Sequence, residues 1–128
     1  MRILLDTQAF LVVRSGGGRL PARARRAFLD PENELFLSPA SVWEMAIKCS
    51  LGKLHLGIAL PDLVRSALST GLIRPLPIDL DHLYAVKDLP FHHRDPFDRL
   101  LVAQARCEEL AILGGDDAFD AYGVNRIW

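Results

Sequence analysis

Cysteine is scarce: Cys49 and Cys107 are the only two, with no CxxC pair and no disulfide-framework spacing. A disulfide-stapled secreted scaffold is excluded, and both residues, lying in helical stretches, read as small core residues of a reduced, cytoplasmic protein. No apolar run approaches the roughly 18 residues of a membrane-spanning helix. Met1-Arg2-Ile3-Leu4-Leu5 meets Asp6 at once, unlike a secretory leader. A soluble protein with no membrane partner is expected. Positive charge is not in excess either, since 15 Lys and Arg face 16 Asp and Glu for a net charge of −1. That excludes gripping nucleic acid by bulk charge, so any such contact needs a local patch. Arg14, Arg19, Arg23, Arg25 and Arg26 offer one, although a solvated helix face is the plainer reading. Gly16-Gly17-Gly18 lacks the spacing and the following Lys-Ser/Thr of a phosphate loop and reads as a connector. Internal repeats and low-complexity segments are absent.

What is present suits one domain over residues 1–128, with 50% hydrophobic and 24% charged residues. Ile3-Leu4-Leu5, Leu35-Phe36-Leu37 and Leu110-Ala111-Ile112-Leu113 are short continuous apolar runs, as expected of strands buried on both faces. Leu76-Pro77-Ile78 is a further extended stretch that its proline assigns to an edge or to no strand, and Val124 to Trp128 a final edge strand. Helices are expected from Thr7 to the glycine run, from Pro21 to Leu29, from Ser38-Pro39 to Gly52 and from Leu60 to Gly71. Further helices run from Asp79 through Val86, from Asp95 to about Glu109, and briefly up to Tyr122. Strands alternating with helices predict an α/β, doubly wound sheet.

The helix at Asp95 organises the chain. Asp95 is a good N-cap, Pro96 suits the first helical position, and Asp98 occupies the acidic place of a capping box. Yet Leu101, Val102 and Ala105 follow Asp98 at i+3, i+4 and i+7, so its carboxylate heads the apolar stripe. A charge turned toward a core costs several kcal/mol unless something positive meets it.

Three more acids share its topological position. Asp6 ends the first strand, Asp116 closely follows the last core strand, and Glu44 lies early in the helix after the second strand. Ligands of open α/β sheets bind beyond the carboxyl ends of the strands, where the four could converge. Each also has a purely structural reading. Asp6 or Asp116 could cap the helix that follows, Asp98 could serve only its capping box, and Glu44 could complete a box with Ser41 or pair with Lys48. Taken together, four acids at one sheet edge would repel, and a divalent cation resolves the repulsion. Carboxylate oxygens suit Mg²⁺ or Mn²⁺; zinc is disfavoured because His92 and His93 are adjacent, with no third nitrogen or sulfur at metal-site spacing. Such a site fits phosphate chemistry, with a metal-activated water as nucleophile. The two histidines read as exposed rather than as phosphate contacts.

Leu4-Leu5-Asp6-Thr7, Ser41-Val42-Trp43-Glu44-Met45-Ala46-Ile47-Lys48 with Leu51-Gly52-Lys53-Leu54, and His93-Arg94-Asp95-Pro96-Phe97-Asp98-Arg99 through Ala105 resemble a PIN domain of the VapC toxin type. Asp116, Tyr122-Gly123-Val124 and Ile127-Trp128 continue the likeness, which spans essentially the whole chain. The resemblance implies a PIN-like three-layer sandwich with a central, mainly parallel sheet and helices on both faces. It also implies a metal-dependent endoribonuclease, the toxin of a toxin–antitoxin pair, with an RNA substrate, a cognate antitoxin and a homodimer. Its metal-site and catalytic acids fall on Asp6, Glu44, Asp98 and Asp116, with Asp95 a further possible ligand. Two positions depart from the pattern. Gln8 replaces a usual histidine, and Gly114 a common threonine or serine whose hydroxyl could support the metal site. The alternative reading is therefore a catalytically weak PIN module that mainly holds its antitoxin. A receiver-like phosphoacceptor lacks its acidic pair and late lysine. An antitoxin tail is expected in a groove between the Arg19–Leu29 surface and the helix bearing Trp43, Ile47 and Leu51.

Overall fold

The apolar runs form the middle of a five-stranded sheet in a computed structural model that describes residues 1–128. The strands are β1 (Arg2–Leu5), β2 (Glu34–Leu37), β3 (Ile73–Pro75), β4 (Ala111–Leu113) and β5 (Arg126–Ile127). Their order is β3-β2-β1-β4-β5, and every pairing is parallel. Helices α1 (Thr7–Arg14), α2 (Ala22–Leu29), α3 (Pro39–Ser50), α4 (Leu60–Leu68), α5 (Leu80–Asp88) and α6 (Pro96–Cys107) connect them. A 3-10 helix (Asp117–Tyr122) precedes β5.

The runs are continuous because both sheet faces are covered. Ile3 and Leu5 pack with Phe10 of α1, Ala24 of α2, Met45 of α3 and Leu63 of α4. The intervening Leu4 packs the other way, with Phe36, Ile112, the α6 residues Leu101 and Val102, and Phe119. These are the three layers that the alternation of strands and helices predicts.

Register sets the site. Leu5 pairs with Leu37 and Leu113, Leu37 with Pro75, and Leu113 with Ile127, so the strands finish level at one edge. The chain reverses direction across the sheet between β1 and β4, the switch point where α/β folds hold ligands. Asp6 emerges there from β1, its N–H bonded to Leu113 O at 3.0 Å.

Two expectations are corrected. The third extended run forms β3 earlier, at Ile73–Pro75, rather than at Leu76-Pro77-Ile78. Leu76 N–H still donates to Leu37 O (2.9 Å), and Pro77, with no donor, ends the ladder. The cysteines are not core residues: Cys49 is half-buried and Cys107, in the last turn of α6, is exposed. No helix is long and apolar enough to cross a membrane.

Candidate metal centre

Asp6 caps α1 and also faces the switch point. Its Oδ1 accepts the Ala9 N–H at 2.6 Å, so the capping reading holds, and its side chain remains in the cleft beyond the sheet edge. Burial, seconded by the charges of Glu44 and Asp116, pushes its carboxyl up to about 6, against the pull of the Ala9 N–H. The Asp6 carboxylate fills the space where a side chain at 114 would go. A Cβ on Gly114 would stand 2.8 Å from Asp6 Cγ and 3.2 Å from Phe119 Cε2. Gly115 plays the same part on the other side, where a Cβ would meet the Trp128 ring at 2.9 Å. The glycine that departs from the common hydroxyl residue thus makes room for the acid.

Glu44 projects from α3 and is 7% exposed. Thr7 Oγ1 donates to its Oε1 at 2.7 Å, and Lys48 Nζ, one turn on, meets Oε2 at 2.6 Å. The Lys48 pair expected from spacing is made. The capping box with Ser41 is not, because Ser38 caps α3 and puts Ser41 itself at the third helical position. The hydrogen bond to Glu44 holds the Lys48 ammonium above the usual lysine range, with Asp95 and Asp98 adding to it.

Asp98 stands in the first turn of α6, where Asp95 Oδ1 accepts both the Phe97 N–H (2.8 Å) and the Asp98 N–H (3.1 Å). A completed capping box would have the Asp98 carboxylate take the Asp95 N–H. That N–H goes instead to His93 Nδ1 at 3.0 Å, which leaves Asp98 free for the cleft. Burial first, then the charges of Asp95, Glu44 and Asp6, pushes Asp98 up to about 7, with His93 opposing.

Asp116 caps the 3-10 helix through Oδ1, which accepts the Ala118 N–H at 2.9 Å. That bond, followed by His93 and the more distant Arg126, holds its carboxyl below the usual range. His93 corrects the expectation of exposure. Its side chain is 15% exposed, and Nε2 lies 3.1 Å from Asp98 Oδ2 and 2.7 Å from Asp116 Oδ2. His92, by contrast, is exposed.

All four expected acids therefore line one open cleft of about 310 Å³, together with Asp95, whose carboxylate is engaged as the N-cap. Lys48, Gln8 and Trp128 line it too, and sequence reasoning had not assigned them to the site. Lys48 left a signal in its i+4 spacing from Glu44, and Gln8 in its place two residues after Asp6, where it replaces a usual histidine; Trp128 left none. The donor set is hard carboxylate oxygen, which suits Mg²⁺ or Mn²⁺. Burial first, then neighbouring acids, raises two of those carboxylates, Asp6 to about 6 and Asp98 to about 7, a charge excess that a cation would neutralise. The residues fit a divalent ion.

An all-parallel three-layer α/β domain with a carboxylate cleft at its switch point defines the class. The chain belongs to the PIN-domain family, whose model matches residues 3–125. Solved structures with this fold include VapBC2 from Rickettsia felis bound to a DNA fragment from their promoter. It is 12% identical, with 100% of each chain covered and a TM-score of 0.72. VapC20 of Mycobacterium tuberculosis, described as a sarcin–ricin loop cleaving toxin, is 16% identical over 95% of each chain, TM-score 0.68. FitAcB from Neisseria gonorrhoeae is 23% identical over 97% of this chain and 95% of that one, TM-score 0.64. No curated protein matches by sequence.

Proposed function

We propose that this protein, as one domain over residues 1–128, is a metal-dependent endoribonuclease and the toxin of a toxin–antitoxin pair. Asp6, Glu44, Asp98 and Asp116 would hold Mg²⁺ or Mn²⁺, with Asp95 serving as N-cap. The observation that carries this reading is the gathering of these carboxylates in one cleft, with Asp6 and Asp98 both raised toward neutrality. When bound, the cation supplies a water of lowered pKa and neutralises charge developing at phosphorus. Thr7 and Lys48 fix the Glu44 carboxylate from two sides. Lys48 is the one cationic side chain lining the cleft, and its remaining N–H groups can meet a phosphate oxygen. The RNA assignment follows the description of VapC20.

The expected products carry 5′-phosphate and 3′-hydroxyl ends. Antitoxin-free protein incubated with total RNA should cleave it with Mg²⁺ or Mn²⁺ and stop in EDTA, and end-mapping reads the chemistry. Cyclic-phosphate ends that persist in EDTA would overturn the reading and move suspicion to His92 and His93.

The partner is proposed to be an antitoxin, in line with the VapBC2 and FitAcB neighbours, and the toxin itself a cytoplasmic homodimer. The groove expected between α2 and the Trp43 helix is revised. Helix α2 packs by β5, whereas α3 packs on α1, α4 and α6. A groove of about 470 Å³ runs instead between α1 and the segment after α3, lined by Leu11, Arg14, Arg19, Leu54 and Ile58. Gln8 borders both this groove and the acidic cleft, so an apolar tail in the one could send a basic side chain into the other.

A further inference from the structure

His93 is the one histidine in contact with the candidate metal acids, and its surroundings specify where its proton sits. A neutral imidazole offers one donor nitrogen and one acceptor. The Asp95 backbone N–H points at Nδ1 from 3.0 Å, which makes Nδ1 the acceptor and leaves the proton on Nε2. That N–H lies between two carboxylate oxygens, Asp116 Oδ2 at 2.7 Å and Asp98 Oδ2 at 3.1 Å.

The ring is held from behind. The His93 N–H donates to the Tyr122 hydroxyl (2.9 Å), which donates in turn to Pro90 O (2.8 Å). Arg99 of α6 is 6% exposed and meets no carboxylate. Its guanidinium donates to Pro90 O (2.9 Å), Val86 O (3.1 Å) and Leu89 O (3.2 Å), and reaches Tyr122 Oη at 3.3 Å. A buried cation is thus spent on the carbonyls of the segment that carries His93.

We propose that His93 is a positioning residue: its Nε2–H clasps Asp98 to Asp116 and orients both carboxylates, and it is not itself a metal ligand. The inference rests on the metal-site reading above. The three groups lie close enough to suggest a shared ion, with ligand atoms within 4.8 Å of one another. Ligation through Nε2, however, needs a bare lone pair there. Moving the proton to Nδ1 would set donor against donor at the Asp95 N–H. The acids therefore meet the cation, and His93 sets their spacing from behind, as outer hydrogen-bond partners do in metal sites.

Two measurements on the full chain test this. The ¹⁵N spectrum of metal-free, histidine-labelled protein should show a bare Nδ1 and a protonated Nε2 at His93; a proton on Nδ1 would overturn the proposal. Mn²⁺ titration should show affinity weakened about tenfold in His93→Ala, typical of losing an outer partner. His93→Gln, whose amide N–H reaches near the Nε2 position, should recover most of it. Unchanged or tighter binding in His93→Ala, or no recovery in His93→Gln, would overturn the proposal, as would imidazole nitrogen coupling to bound Mn²⁺. If the unaltered protein takes up no Mn²⁺, the metal-site reading falls. The clasp is then judged by the nitrogen spectrum and by whether His93→Gln keeps the thermal midpoint that His93→Ala lowers.

Discussion

Helix α6 has a histidine–carboxylate cluster at each end, and the two are built alike. Near its C-terminus, His82 of α5 takes the Asp79 N–H on Nδ1 at 3.0 Å and meets Glu108 Oε1 with Nε2 at 2.8 Å. Near its N-terminus, His93 takes the Asp95 N–H on Nδ1 and turns Nε2 to Asp98 and Asp116. In both, three candidate ligand atoms lie within 4.8 Å of one another. The difference is in the count of charge. At the C-terminal end the one N–H meets Glu108, and the second acid, Asp79, is exposed to solvent as the N-cap of α5, so the buried imidazole staples α5 to α6 with no buried carboxylate left over. At the N-terminal end one N–H meets two carboxylates, with Asp6, Glu44 and Asp95 beside them and Lys48 the only cation among them. Burial first, and this surplus second, raises Asp6 and Asp98. Residue types and spacing do not separate a staple from a site here; uncompensated charge does.

The comparison breaks most visibly in activity. Asp98→Asn keeps shape and loses charge, and should reduce RNA cleavage by more than about 100-fold, beyond the usual cost of losing an outer partner. Glu108→Gln at the other end should leave cleavage unchanged. Equal losses in single-turnover assays would erase the distinction. Stability should divide the other way. His82→Ala removes a buried ring and its bond to Glu108, and should cost about 2–3 kcal/mol in denaturant unfolding while Mn²⁺ affinity stays put.

The pH response sharpens the point. Asp6 at about 6 and Asp98 at about 7 lie above the ordinary value of roughly 4, so the folded chain holds protons that the unfolded chain releases. That contribution is full below about pH 4 and is lost as pH rises through 6 and 7. Metal-free protein should therefore lose on the order of 4 kcal/mol between about pH 5 and 8. Asp98→Asn should lose less, and Mg²⁺ should flatten the curve. Asp116, held low, acts in the opposite sense and only at the acid end. Unfolding curves with EDTA that showed stability climbing to pH 8 would contradict the assignment. The smallest effect belongs to Asp95→Asn. Asparagine caps as well as aspartate, so activity should fall only mildly; a loss as complete as that of Asp98→Asn would make Asp95 a ligand.

Much of this molecule was legible along the chain. Apolar runs of three or four residues marked the buried strands, and Ser38-Pro39 and Asp95-Pro96 marked helix starts, because burial on both faces and capping are short-range demands that a local sequence meets. Asp98 at the head of an apolar stripe signalled that something positive was needed, and Asp6, Glu44 and Asp116 could be assigned to the same sheet edge from topology alone. What met the Asp98 carboxylate was not legible. His93 read as exposed beside His92 because nothing in its neighbours along the chain shows that Tyr122 and Arg99 hold its loop against the 3-10 helix. By sequence Gly114 is a missing hydroxyl, whereas in the fold the Asp6 carboxylate occupies the space; by sequence Cys107 is a core residue, whereas the end of α6 stands in solvent. The sequence by itself determined the elements and the acids, since those depend on residues within a turn or a strand of one another. Only the tertiary structure decided the charge balance and the room in the cleft. Those depend on groups from β1, α3, α6 and the 3-10 helix, whose distances exist only once the sheet has formed.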